Sequence, residues 1–157
     1  MIVRNQRQAL SVAVEMEARA IRTYERALML AKRPEVLEGI RIILDDERVH
    51  HRRFMEMRGE MEENPAEDRL LTGALAEEAL FPGGAMEMAR AQGLTSLRGL
   101  YEFAADSEAD AVENYQAFAA RCEDEAVAQA FLSIALEEAK HLTELRWALK
   151  HLPKEDE

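Results

Sequence analysis

Two Glu-x-x-His tetrads stand in the chain, Glu47–His50 and Glu138–His141. On a helix the two side chains of such a tetrad share one face, because residues three apart are surface neighbours there. Mixed carboxylate and imidazole donors suit iron or manganese, and zinc tolerates them as well. Two further pairs of polar residues interrupt apolar patterns elsewhere, Glu17 with Tyr24 and Glu108 with Tyr115. All eight residues obey one internal repeat. At an offset of 91, Ala13, Glu17, Ala18, Ala20, Tyr24, Val36, Ile43, Glu47 and His50 recur as Ala104, Glu108, Ala109, Ala111, Tyr115, Val127, Ile134, Glu138 and His141. Nine identities over some forty positions would be unremarkable by themselves, but every polar interruption of an apolar stripe is among them.

Four helices are needed to present these groups. The stripes recur at three- and four-residue steps: Leu10, Ala13, Val14, Ala20, Ile21, Ala27, Leu28 and Ala31; Val36, Ile40, Ile43, Phe54, Met57 and Met61; Leu97, Leu100, Ala104, Val112, Phe118 and Ala119; Val127, Phe131, Ile134, Leu142, Leu145 and Leu149. They predict helices over 6–31 and 34–63, with Pro34 at a first helical position and Glu35 beside it. A third helix, capped by Thr95 or Ser96, runs to about residue 121. A fourth, capped by Asp124, ends before Pro153. Five of the seven glycines fall between Gly59 and Gly93, so residues 64–95 read as a long crossover with short helices near 66–79 and 85–91, broken at Phe81-Pro82-Gly83-Gly84.

The hairpin arithmetic then brings the polar groups together. Glu17 and Glu47 are centred on Lys32, and Glu108 and Glu138 on Glu123, each midpoint lying in a predicted turn. Residues equidistant from a hairpin turn lie at one level, here about fifteen residues at ~1.5 Å each. Packing the hairpins about a two-fold axis converges four carboxylates and two imidazoles. A lone buried carboxylate costs several kcal/mol, whereas two divalent cations would neutralise four of them. Glu47 and Glu138 are placed to bridge two metals, with Glu17 and Glu108 as terminal ligands and His50 and His141 one on each metal.

Composition agrees with this all-α architecture, a single domain over 1–157. The 157 residues include 26 Ala, 24 Glu and 18 Leu against 7 Val, 6 Ile and 4 Thr, and the former lose little freedom in a helix. A net charge of −11 argues against a nucleic-acid or anionic-membrane surface. No apolar run approaches the ~20 residues of a membrane span, and no signal-peptide core opens the chain, so a cytoplasmic location is expected. The single cysteine, Cys122, allows no intrachain disulfide.

The constellation resembles the ferritin-like di-metal carboxylate pattern, a four-helix bundle of two antiparallel hairpins joined by a long crossover. Within it the chain is most similar to the rubrerythrin branch, whose first and third helices carry Glu-x-x-Ala-x-x-x-Tyr, here Glu17–Ala20–Tyr24 and Glu108–Ala111–Tyr115. The resemblance implies a di-iron centre that reduces hydrogen peroxide or dioxygen with electrons from an external donor such as a rubredoxin. It also implies that Tyr24 and Tyr115 hydrogen-bond the terminal carboxylates across the bundle. Ala111 stands where many relatives carry a further ligand glutamate, which argues against a ligand-switching peroxidase mechanism. Cys122 alone cannot form the four-cysteine site of an appended rubredoxin.

Other residues read plainly. His51 points about 100° from His50 towards the surface, His151 sits near a helix end, and Cys122 reads as a small core residue. Glu15, Asp106, Asp110 and Glu113 read as solvated faces, one of which could guide iron inward. Met55, Met57, Met61, Met86 and Met88 read as packing or dimer contacts. Leu70, Leu71, Leu75, Leu80 and Phe81, with Met86 and Met88, form a candidate homodimer patch. Two other functions compete with the redox enzyme: a ferroxidase handling Fe(II) for storage or detoxification, and a metal-free helical interaction module. Six intact ligand positions argue against the last.

Overall fold

The computed structural model describes residues 3–59, 64–67, 69–71 and 93–154. Among them the chain is helical, without strands, and four long helices dominate: α1 (Gln6–Leu30), α2 (Pro34–Gly59), α3 (Leu97–Ala119) and α4 (Glu125–His151). Each start is chemically marked. The Asn5 side chain accepts the Gln8 amide, Ser96 accepts that of Gly99, and Asp124 accepts that of Ala126, satisfying amides that the first helical turn leaves without partners. Of the two expected caps for α3, Ser96 serves. Pro34 opens α2, where its missing N–H costs nothing. At the start of α3 a side chain on Gly99 would collide with the Gly93 carbonyl, 2.2 Å from an ideal Cβ.

Three residues join α1 to α2 and five join α3 to α4, so each pair must fold back on itself, and the closest helix packing is within these pairs. The pairs meet through two apolar clusters at opposite ends. At the end holding the α3–α4 turn, Leu10 and Val14 of α1, Phe54 of α2, Tyr115 and Phe118 of α3, and Phe131 and Ile134 of α4 pack together. The Gln6 side chain there accepts the Asp124 amide at 3.0 Å. At the end holding the α1–α2 turn, Tyr24 and Ala27 pack with Val36, Ile40, Leu44, Leu94 and Leu100. Gly39 lets α2 approach α3 there, since a Cβ would sit 3.1 Å from Leu100 Cδ2. The chain leaves α2 at one end and enters α3 at the other. It follows that α2 and α3 run in the same direction.

Several expectations change. The short crossover helices near 66–79 and 85–91 lie mostly outside the described residues, as do Met61, Leu75, Leu80, Phe81, Met86 and Met88. Leu71 belongs to the core, not to a surface patch: it is 7% exposed and packs in the cluster with Leu10 and Phe54, while Leu70 is 77% exposed. Residues 64–67 are tied to the start of α1 by Glu67, which accepts from Gln8 at 2.6 Å and pairs with Arg7 at 3.3 Å. On α4 the stripe is buried only in its first half. Phe131, Ile134, Ala135 and Glu138 are buried, whereas Leu142, Leu145 and Leu149 stay partly exposed. No described helix is long and apolar enough to cross a membrane.

Phe54 is the keystone of its cluster, fully buried with ring centroids 5.1 Å from both Tyr115 and Phe131. Phe54→Ala is expected to cost about 3–5 kcal/mol, the usual range for emptying a packed aromatic site. The midpoint of urea unfolding measures it.

Candidate metal centre

Between the two apolar clusters lies a polar layer. Glu17 of α1, Glu47 and His50 of α2, Glu108 of α3 and Glu138 of α4 are all buried. His141, one turn after Glu138, borders them at 28% side-chain exposure. The layer is an outcome of register: each helix places apolar residues a turn or two to either side, so only the interrupting residues face its middle. All six sequence-predicted ligands converge there.

Their donor atoms form two sets. Glu17, His50 and Glu138 bring one ligand atom each to within 4.8 Å of one another, and so do Glu108, Glu138 and His141. Glu138 belongs to both sets, and each set holds one histidine. His50 Nδ1 lies 2.6 Å from Glu138 Oε1, and His141 Nδ1 lies 3.6 Å from Glu138 Oε2 and 3.7 Å from Glu108 Oε1. Glu47, expected to bridge alongside Glu138, is in neither set; it lies near Glu17, whose carboxyl its charge helps to raise.

The tyrosines differ. Tyr115 donates its hydroxyl to Glu17 Oε1 across the bundle. Tyr24 is buried edge-on against Phe103, centroids 5.7 Å apart, with its hydroxyl in the field of Glu47, Glu138 and Glu17. The hydrogen bonds among the described residues include none from Tyr24 to Glu108.

The sequence reading missed two residues. His50 turns its outer Nε2 to Glu137 Oε2 at 2.9 Å, and His141 turns its Nε2 towards Asp46 Oδ2 at 3.7 Å. Each carboxylate comes from the helix facing the imidazole, and each immediately precedes the glutamate of a tetrad. An outer carboxylate orients a ligating imidazole and fixes which nitrogen carries the proton. The signal was present in the repeat, because Asp46 and Glu137 are themselves 91 residues apart and both acidic. By contrast Glu15 is engaged by Arg19 and Arg22, outside the layer. Cys122 is partly buried with its thiol against the Phe118 carbonyl, and burial pushes its pKa up. His151 stacks on exposed Trp147.

Protonation shows how far the cluster is from satisfied. Burial, then the charge of Glu47, hold the Glu17 carboxyl well above the usual carboxylate range, and burial raises Glu47 as well. Burial pulls His50 down, but Glu138 and Glu137 outweigh it and bring the imidazole to about 9. His141 is raised chiefly by its contact with Glu138. Burial of Glu138 is in turn outweighed by the two histidines, which hold it low. Protons thus stand where cations would. Glu17 Oε2 and Glu138 Oε2 remain buried with no hydrogen-bond partner, a state that costs about 1–3 kcal/mol for each such atom and that a coordinated cation would relieve. The buried Glu and His groups fit a metal ion.

The sign of the pH dependence follows. Glu17, Glu47, His50 and His141 bind protons more tightly in the metal-free fold than in the unfolded chain. Each therefore contributes stability that is complete below its unfolded pKa and lost as pH rises through its folded one. Glu138 acts oppositely, its contribution being lost only in the acid range as pH falls through its lowered pKa. The metal-free protein is expected to lose stability as pH rises from 6.5 to about 9, on the order of a few kcal/mol from His50. The metal-loaded protein should hold or gain stability over the same rise, because protons cease to compete for its ligands. Thermal melts of both forms check this, and parallel curves would contradict a shared buried cluster. No family model, curated protein or solved structure matches the chain.

Proposed function

We propose that the chain is a ferritin-like di-metal carboxylate protein of rubrerythrin type, a di-iron oxidoreductase that reduces hydrogen peroxide or dioxygen with electrons from an external donor. The observation that carries this reading is the sharing of Glu138 between two Glu/His donor sets buried in one layer. The helix order supports it, with two antiparallel hairpins whose inner helices α2 and α3 run in the same direction. So does the donor chemistry, since carboxylates and imidazoles without thiolates suit iron or manganese and tolerate zinc.

The residues would divide the work as follows. Glu17, His50 and Glu138 would hold one ion and Glu108, Glu138 and His141 the other, with Glu47 held in reserve beside Glu17. Bound iron would supply the redox couple and a Lewis acid for the oxidant's oxygens. Glu137 and Asp46 keep the Nδ1 atoms of His50 and His141 turned inward. Tyr115 fixes the Glu17 carboxylate and offers a proton at its hydroxyl. The apolar clusters on either side exclude bulk water, which strengthens every charge interaction within the layer. A ferroxidase reading shares this site and draws on a separate feature, the acidic residues Asp46 and Glu144 beside His141.

Metal analysis of protein purified without chelators or affinity metals tests the reading directly. About two transition-metal ions per chain are expected, and protein that holds none and takes up no Fe(II) anaerobically would overturn it. Glu138→Ala should empty both positions, whereas His141→Ala should empty mainly one. Turnover of peroxide with an added reductant, against retention of many irons per chain, separates the peroxidase from the ferroxidase.

A homodimer belongs to the same proposal. Leu132, Leu136 and Trp147 recur on one outward side of α4 and remain exposed, as does Leu70, a pattern typical of covered surfaces. Light scattering at micromolar concentration should report twice the chain mass.

A further inference from the structure

The two halves of the repeat are not equally closed. His50 is 3% exposed and His141 is 28% exposed. A groove of about 270 Å³ between α2 and α4, floored by Tyr101, runs directly to His141 and Glu108. Its walls are Ile42, Ile43, Leu145 and Ala148, and its polar groups other than Tyr101 and His141 are acidic: Asp46, Glu108 and Glu144.

The repeat shows how the surroundings of the two histidines differ. Leu145 is the counterpart of Phe54 at the 91-residue offset, and Tyr101 that of Leu10. In the half that holds His50, Phe54, Leu10 and Ile134 are fully buried in one apolar cluster. In the half that holds His141 the aromatic ring comes instead from Tyr101, and Leu145 stays partly exposed in the groove wall. The mouths differ in charge as well. Glu144 is the counterpart of Arg53. Over His50, Arg53 pairs with Glu137 at 3.5 Å and closes the approach. Over His141 the corresponding groups are Glu144 and Asp46, two carboxylates that repel each other and attract cations. At the inner end, Glu138 Oε2 is buried without a hydrogen-bond partner and lies 3.6 Å from His141 Nδ1.

We propose that this groove is the path by which divalent cations reach and leave the Glu108–Glu138–His141 position, which exchanges with solution, while the enclosed Glu17–His50–Glu138 position retains its ion. The inference rests on the di-metal reading above but assigns the two positions different behaviour. Low-dielectric walls lined by one sign of charge focus the field and raise the local concentration of counter-ions. The acidic mouth therefore favours cations over anions, and the apolar walls let bare side-chain volume set the rate of passage.

Extraction of Co(II) from the fully loaded full-length chain by excess chelator, followed through the cobalt absorption bands, tests it. Wild type should release its two ions in separate phases of equal amplitude. Leu145→Phe, which restores the repeat's aromatic residue, should slow the fast phase ten-fold or more and leave the slow phase unchanged. Glu144→Arg, a surface change that recreates the Arg53–Glu137 pairing opposite Asp46 and does not endanger the fold, should also slow the fast phase and weaken the ionic-strength dependence of Co(II) uptake. Release of both ions at one rate from a chain that binds two would overturn the groove and leave the di-metal centre standing. Unchanged fast phases in both variants would do the same. A chain that takes up no Co(II) would remove the centre and the groove together.

Discussion

Burying four carboxylates and two imidazoles in one layer is the constraint around which the rest of this molecule is arranged. Charges taken from water must be paired or neutralised, and their mutual repulsion is strongest where solvent is excluded. The metal-free layer resolves this with protons: Glu17 and Glu47 are pushed towards their neutral forms, while His50 is held charged beside Glu138. Two carboxylate oxygens still lack partners. A divalent cation, which carries twice a proton's charge and accepts several donor atoms at once, would satisfy these oxygens together.

Packing on one side keeps that layer dry and fixed. The aromatic cluster of Phe54, Tyr115, Phe118 and Phe131 closes one side, and Tyr115 uses its hydroxyl to clamp Glu17. The outer carboxylates Glu137 and Asp46 belong to helices opposite the imidazoles they meet, so the layer also ties α2 to α4, which otherwise pack loosely. The same looseness opens the groove beside His141. Packing and access are therefore set by the same pair of helices, and the repeat shows which substitutions separate them: Phe54 against Leu145, and Arg53 against Glu144.

The helices, the caps Ser96 and Asp124 and the convergence of six polar residues were legible because each depends on local or periodic information. Ser96 and Asp124 act on amides two or three residues away, and Asn5, which does the same for α1, was legible on the same ground but not named. The equal spacing of Glu17 from Glu47 and of Glu108 from Glu138 fixes their depth once short turns force antiparallel pairs. The repeat even contained Asp46 and Glu137, which the reading passed over because an acid beside an acid looks like a solvated face.

What the tertiary structure alone decided is how unequal the two halves are. Periodicity placed Leu142, Leu145 and Leu149 in the core as confidently as Phe131 and Ile134, since a stripe records which face a helix turns inward but not whether a neighbour is near enough to cover it. It likewise gave Glu47 and Glu138 equivalent roles, because a repeat in sequence carries no record of which carboxylate meets two imidazoles and which meets another carboxylate. Those outcomes depend on distances between helices, and these are set by side-chain volumes such as Phe54 and Gly39 acting across the bundle. The sequence by itself determined four helices and a shared level for six polar residues; the packing of those helices determined that Glu138 is common to both donor sets and that His141 faces a groove.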